Sequence, residues 1–219
     1  MQDEIDQKKQ WDSTYADVRD FFGTTPSDMA VSVLQTMKVY QVKTVLELGC
    51  GQGRDTWYLA TNGFQVTALD YSESGICQVK DTAKREKLDR AVVAKIHDAR
   101  KPLPFPDVSF DAIYSHMFFT MEFSEEEISS MLADCRRVLK PGGLNIYSVR
   151  NDHDPHYGKF EPRGKDMWKN PRGFVVHFFS EEKIRRLSSG YDVLWIKEFE
   201  DRSPPFTKKL YEVVLQKPR

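Results

Sequence analysis

Apolar and polar positions alternate along this chain with two different periods. Short apolar runs at 44–48, 65–69, 91–96, 109–115 and 144–149 have the length and residue types of buried strands. Between them lie stretches with apolar residues three and four apart. Ile128, Met131, Leu132, Cys135, Val138 and Leu139 fall on one face, the spacing of a helix lying on a sheet. Ser124-Glu125-Glu126-Glu127 opens that helix as a capping box, and Lys140-Pro141-Gly142-Gly143 is expected to turn after it. The helix after Gly53 carries Trp57, Leu59 and Ala60 and should stop near Asn62-Gly63; residues 72–88 read as a charged amphipathic helix. Ahead of the first strand, residues 4–19 are predicted helical with Trp11, Tyr15 and Val18 on one side. Ser27 can cap a second helix carrying Ala30, Val33, Leu34 and Met37.

Residues 101–107 form a proline-rich turn. Residues 151–173 are polar, rich in Pro, Gly and His, and without a period, which predicts a long loop. A short helix follows Ser180, then strands near 192–199 and 210–216. Little but Pro204-Pro205 lies between these strands, so they should pair as an antiparallel hairpin at a sheet edge. Strands alternating with helices predict an α/β fold, a doubly wound, mostly parallel open sheet.

Composition narrows the function classes. The 219 residues suit one large domain, or one with an inserted lid. With 32 basic and 33 acidic residues the formal charge is −1, so nothing draws the chain to nucleic acid or an anionic membrane. No apolar run approaches the ~20 residues of a membrane span. The first residues, Met1-Gln2-Asp3-Glu4, lack the apolar core of a signal peptide. Cys50, Cys77 and Cys135 form neither a metal spacing nor an even disulfide set. A reducing, cytoplasmic setting is therefore expected. Cys50 reads as a small loop residue and Cys135 as core.

The informative chemistry is at the end of the first strand. Glu47-Leu48-Gly49-Cys50-Gly51-Gln52-Gly53-Arg54 runs from the strand into a loop of alternating glycines, and Asp70 ends the second strand 21 residues after Gly49. Glycines let backbone approach a ligand where a Cβ would collide, and an acid at that distance suits the two hydroxyls of a ribose. A nicotinamide dinucleotide site wants a third glycine where Arg54 stands. Glu47 is badly placed for a pyrophosphate and well suited to a cationic head such as an α-amino group.

These residues resemble motif I of the class I S-adenosylmethionine-dependent methyltransferases. Asp70 matches that family's acid after the second strand, and His97-Asp98-Ala99 the segment whose acid meets the adenine amino group. Phe110-Asp111-Ala112-Ile113-Tyr114-Ser115 matches its fourth-strand motif, and Leu139-Lys140-Pro141-Gly142-Gly143 the turn before the fifth strand. The matches run in order over about residues 43–150. Gly53-Arg54-Asp55 with Tyr58-Leu59-Ala60-Thr61-Asn62-Gly63 looks like the tellurite-resistance and thiol methyltransferase branch.

The resemblance implies a Rossmann-like seven-stranded sheet of order 3-2-1-4-5-7-6, strand 7 antiparallel. The chain would be one methyltransferase domain: a helical cover at 1–40, a cofactor core at 43–150, a substrate loop at 151–180, and a helix and hairpin at 181–219. It implies S-adenosylmethionine as cofactor, S-adenosylhomocysteine as product, and a small-molecule acceptor. Gly49, Gly51 and Gly53 would cradle the methionine part, with Glu47 on the amino side and Tyr15 and Arg54 toward the carboxylate. Asp70 would hold the ribose and Tyr71 pack on the adenine, with Asp98 and the Ala99 backbone at its edge. Ser115 and His116 would lie where methionine portion and substrate meet.

Three of the five histidines, His153, His156 and His177, fall late in the chain and are candidate bases or anion ligands. Arg163, Lys165, Lys169 and Arg172 add positive charge there. Methyl transfer from a sulfonium needs no metal, and no metal site is expected. Holding acceptor and methyl donor in line can supply about 7–11 kcal/mol of barrier reduction. Exposure of Phe118 and Phe119 would mark a hydrophobic substrate or a subunit contact. Four other readings compete: a nicotinamide oxidoreductase, a non-catalytic cofactor-binding regulator, a methyltransferase acting on protein, and one acting on nucleic acid. The last would want a basic face and a proline-aromatic motif where Tyr114-Ser115-His116-Met117-Phe118-Phe119 stands. Thiol, oxygen, nitrogen, carbon and metalloid acceptors all fit the sequence.

Overall fold

A computed structural model describes residues 6–202 and 206–219. They form two compact units, Met1–Lys101 with Phe110–His116, and Pro102–Ser109 with Met117–Arg219.

The first unit is built on strands β1 (Thr44–Leu48), β2 (Gln65–Asp70), β3 (Val92–Ile96) and β4 (Phe110–His116). They run parallel in the order β3-β2-β1-β4. Val45, Leu46, Leu48, Ala68, Leu69, Ala112 and Ile113 are all buried. Parallel strands covered on both faces read as continuous apolar runs rather than alternation. Helices α1 (Gln7–Asp17), α2 (Asp28–Val39), α3 (Arg54–Thr61) and α4 (Glu73–Arg85) complete the unit. Ser27 and Ser72 cap α2 and α4, accepting from the Ala30 and Gly75 N–H groups at 3.0 Å each; such a cap contributes about 1 kcal/mol. α1 is shorter than the predicted 4–19, whose first two residues lie outside the described ones. Tyr15 is buried as expected, but Val18 falls beyond the helix end and faces solvent.

The second unit contains α5 (Glu125–Val138), β5 (Leu139–Asn151), β6 (Glu161–Gly164), β7 (Met167–Lys169), β8 (Val175–Phe179), α6 (Glu181–Leu187), β9 (Asp192–Asp201) and β10 (Lys208–Gln216). β10 pairs antiparallel with both β5 and β9, in the register Val213↔Tyr147 and Val213↔Ile196. This is the predicted 5-7-6 arrangement. Pro204-Pro205, the expected connection, lies outside the described residues. The capping box at Ser124 and Glu127 forms with both its hydrogen bonds.

Two expectations are corrected here. The Lys140–Gly143 stretch is not a free turn: α5 ends at Val138 and the chain continues directly as β5. Gly142 N–H donates to the Lys217 carbonyl, and Lys217 N–H to that of Gly143, at 2.9 Å each. Residues 151–173 are not structureless either. β6 and β7 pair antiparallel, β7 pairs antiparallel with β8, and β8 runs parallel beside the end of β5 through Arg150↔Phe178 and Asn151↔Phe179. β6 is exposed at all four positions and contains Pro162 and Gly164, so it carries no alternation to read. Phe118 and Phe119 are buried and mark no exposed apolar surface.

Candidate cofactor site

In the first unit, the glycine loop is clamped from three sides. Gly49 and Cys50 N–H groups donate to the Leu69 carbonyl at 2.8 and 3.1 Å, tying the loop to β2. Gly51 N–H donates to Asp70 Oδ2, and Ser72 N–H to Asp70 Oδ1, each at 2.8 Å. Each Asp70 oxygen thus takes one backbone donor and keeps acceptor capacity for another. Burial pushes the Asp70 carboxyl above its ordinary range against those donors. Gly51 has φ +53°, and a Cβ there would lie 2.9 Å from the Tyr15 hydroxyl. Gly53 has φ +91° at the entry to α3, and a Cβ there would lie 2.8 Å from the Trp57 ring. Neither position accepts a side chain without a shift of Tyr15 or Trp57.

Beneath the loop sit two buried acids with opposite tendencies. Glu47 accepts from the Thr56 hydroxyl at 2.5 Å, and burial pushes its carboxyl up to about 8. Asp55 accepts from Ser27 N–H (2.8 Å), Ser27 Oγ (2.7 Å) and the Tyr114 hydroxyl (2.7 Å). Burial would raise the Asp55 carboxyl, but the charges of His116 and Arg54 and these donors bring it below its usual range. One acid is therefore neutral and one ionised near neutrality, in a single polar layer at the carboxyl ends of β1 and β4. Ser115 Oγ is buried with no hydrogen-bond partner among the described residues. His116 is half-buried at the end of β4. Arg54 is drawn to Asp55 (3.5 Å) and donates to the Phe22 carbonyl at 3.3 Å. The sequence reading placed Arg54 toward the ligand carboxylate.

Asp98 and Ala99 follow β3 in a half-buried turn. Arg100, which the sequence reading missed, holds Asp98 through Nε (3.0 Å) and Nη2 (2.8 Å), and holds its carboxyl below the usual range although burial opposes this. Tyr71 is half-buried, and burial followed by the Asp70 charge raises its hydroxyl. Also missed was the stitching of α1 to the loop. Asp12 accepts from Ser72 Oγ (2.6 Å) and Ser74 N–H (2.9 Å). Gln52 accepts from Phe21 N–H (2.7 Å) and donates to the Val18 carbonyl (2.8 Å), while Gln78 donates to that of Tyr15 (2.6 Å).

The three late histidines lie in the second unit in three different settings. His177 is buried; its Nδ1 donates to the Phe123 carbonyl (2.9 Å) and its Nε2 accepts from Lys183 Nζ (3.1 Å). Burial, then the Lys183 charge, lowers it to about 4. Both nitrogens are occupied within the fold. His156 Nδ1 accepts from Arg150 Nη2 at 3.3 Å, and its ring packs 4.4 Å from that of Phe206. Burial and the Arg150 charge lower it. His153 is exposed, with Nδ1 3.0 Å from Glu198 Oε2. The carboxylate can only accept, so Nδ1 is the donor in this pair. Arg150 is clipped to Asp154 through Nε (2.7 Å) and Nη2 (2.5 Å).

A family model described as a methyltransferase domain matches residues 45–143, the stretch that holds the glycine loop, Asp70, Asp98 and β4. That stretch, somewhat under half of the chain, carries the methyltransferase domain, and the matches support a class I S-adenosylmethionine-dependent methyltransferase. Among members of that family, the chain is 28% identical over 134 residues to the probable S-adenosyl-L-methionine-dependent methyltransferase TehB of Haemophilus influenzae, covering 60% of this chain and 45% of TehB. It is 35% identical over 187 residues to the S-adenosyl-L-methionine-dependent Diels-Alderase iccD of Talaromyces variabilis, covering 78% of this chain and 60% of that one. The chain thus spans about half the length of curated relatives it matches. The 1,6-didemethyltoxoflavin-N1-methyltransferase of Burkholderia thailandensis, crystallised with bound 1,6-didemethyltoxoflavin and S-adenosylhomocysteine, shares the fold. The TM-score is 0.73 at 18% identity, over 97% of this chain and 88% of that chain. The fold is the Rossmann-like α/β fold of class I methyltransferases. Among the described residues no helix is long and apolar enough to cross a membrane.

Three features of the first unit fit the family's cofactor. Glu47 is a buried acid whose carboxyl is raised to about 8, a partner suited to a ligand cation. Asp70 is a carboxylate at the end of β2 held by backbone donors of the glycine loop and of Ser72. Gly51 and Gly53 have left-handed backbone where a Cβ would meet Tyr15 and Trp57.

Proposed function

We propose that this chain transfers a methyl group from S-adenosylmethionine to a small-molecule acceptor in the cytoplasm. When bound, the cofactor supplies a methyl group already activated on a sulfonium. The observation that carries the reading is the Asp70–Gly51 hydrogen bond, in the unit that also buries Glu47, whose carboxyl burial raises to about 8. Those groups answer to the ribose and ammonium ends of one ligand. Asp70 holds the ribose hydroxyls, Asp98 and Ala99 the adenine edge, and Tyr71 the adenine face. Gly49, Gly51 and Gly53 bare the backbone to the methionine portion, Glu47 takes its ammonium, and Tyr15 and Arg54 border its carboxylate. Ser115 and His116 meet the methionine portion and acceptor at the end of β4.

The histidines divide by hydrogen bonding. His177 has no nitrogen to offer, and His156 keeps its Nδ1 lone pair on Arg150. For an acceptor that must lose a proton we assign the base to His153, oriented by Glu198 as a carboxylate orients a catalytic imidazole. A thiolate or metalloid anion needs no such base. The methyltransferase crystallised with 1,6-didemethyltoxoflavin supports an acceptor of metabolite size.

Titration calorimetry with S-adenosylmethionine and S-adenosylhomocysteine tests the cofactor half, and saturable binding of both is expected. Methyl-labelled cofactor offered with thiols, metalloid oxyanions, phenols and amines tests the acceptor half. A second reading has one observation in its favour. Identity to the Talaromyces Diels-Alderase extends over 78% of the chain, well beyond the cofactor core. Cofactor binding without label transfer to any acceptor class would favour such a non-methylating use of the bound sulfonium.

A further inference from the structure

Gly75 sits in the first turn of α4 with no ligand-contacting role that its sequence position suggests. It has ordinary helical backbone, so a left-handed φ does not require glycine there. Glycine is the poorest helix former after proline, and α4 would gain from alanine at this site. What forbids it is proximity. A Cβ on Gly75 would lie 2.7 Å from the Gly51 carbonyl oxygen, 3.2 Å from its carbon and 3.3 Å from Tyr15 Cδ2. The nearest obstacle is backbone, which has no rotamer to escape into.

The residue at risk is one that matters for the ligand: its carbonyl faces Gly75, and its N–H, on the preceding peptide, faces Asp70. Gly51 N–H is the donor to Asp70 Oδ2 at 2.8 Å, and a Cβ on Gly51 would itself lie 2.9 Å from the Tyr15 hydroxyl. We propose that Gly75 is a positioning residue for the cofactor: by letting α4 touch the glycine loop it fixes the position of Gly51, and through the Gly51 N–H the Asp70 carboxylate that holds the ribose. This rests on the reading of Asp70 given above. The effect is local to the ribose end. A side chain at position 75 should disturb every ribose-bearing ligand alike, whether or not it carries the amino-acid head.

Gly75→Ala tests this with two ligands, S-adenosylhomocysteine and 5′-methylthioadenosine, which has the ribose and lacks the amino-acid head. Both should bind at least about tenfold more weakly, the scale of losing a hydrogen bond to a charged group, while the helical circular dichroism and cooperative unfolding persist. Amide exchange at Gly51 in the ligand-free protein should accelerate by a similar factor. Binding of both ligands within twofold of wild type overturns the proposal. So does a loss confined to S-adenosylhomocysteine, or a variant that does not fold, which would assign Gly75 to the fold. A wild-type chain that binds neither ligand defeats the cofactor reading itself, and Gly51 exchange then still reports whether Gly75 positions the loop.

Discussion

Glu47 offers the sharpest test of which ligand the glycine loop was built for. Burial raises its carboxyl to about 8, against the help of the Thr56 hydroxyl. At pH 7 such a group is about nine-tenths protonated in the free protein, and a ligand ammonium placed beside it must displace that proton. S-adenosylhomocysteine should therefore bind with release of nearly one proton at pH 7. Its affinity should fall about ninefold between pH 7 and pH 6, or about 1.3 kcal/mol, because the ionised fraction of Glu47 falls by that factor. Calorimetry in buffers of different ionisation enthalpy reads the proton count directly. 5′-Methylthioadenosine, lacking the ammonium, should bind with no such dependence. Glu47→Gln should bind S-adenosylhomocysteine more weakly at pH 7.5 and show no slope. Stability gives a second readout of opposite sense. Unfolded Glu47 gives up its proton near its ordinary value of 4.5 and folded Glu47 only near 8. The unfolded state thus binds fewer protons in that window, and the free protein loses stability as pH rises through it. Glu47→Gln should flatten that loss. A flat pH profile for S-adenosylhomocysteine between pH 6 and pH 7.5, or an unchanged slope in Glu47→Gln, would refute the placement of the ammonium at Glu47.

Asp70→Ala removes both the acceptor of the Gly51 and Ser72 N–H groups and the ribose ligand; loss of two charge-assisted hydrogen bonds at about 1.5–3 kcal/mol each predicts at least a hundredfold weaker binding by calorimetry. His177 is lowered to about 4, so the unfolded chain takes up its proton first as pH falls from about 6.5. Urea unfolding should show about 2 kcal/mol lost between pH 7 and pH 5 from this group, a slope that His177→Gln abolishes. Methyl transfer by His177→Gln should persist in whatever fraction stays folded, since both ring nitrogens are used internally. Gln52→Ala removes the bonds to Phe21 N–H and the Val18 carbonyl. Amide exchange at Phe21 should rise about 2–12-fold, the effect of one modest hydrogen bond, and an unchanged rate would show that the loop glutamine does not hold this segment.

What could be read from the sequence, and what could not, divides by the range of the interaction involved. β1 and β4 were legible because strands buried on both faces announce themselves as apolar runs, and Ser27 and Ser124 because a cap and its partner lie three residues apart. Glu47 and Asp70 were legible because the ends of β1 and β2 are fixed once those strands are. Gly75 was not. Its reason is a carbonyl 24 positions earlier, and only the docking of α4 on the loop brings the two together. Arg100 was missed for a different cause: an arginine two residues after an aspartate looks like a solvated charge until the turn folds its guanidinium back onto Asp98. The histidines make the same point with chemistry. As residue types His153, His156 and His177 are interchangeable candidates, and only their partners separate them. Lys183 and Phe123 consume one imidazole, Arg150 ties down the second, and Glu198 pairs with the third through Nδ1. A cofactor site made of strand ends and glycines is thus written locally, and an acceptor site made of long-range side-chain pairs is not. For that reason the substitution most able to separate acceptors that need a base from those that do not falls on Glu198, a partner that no motif names.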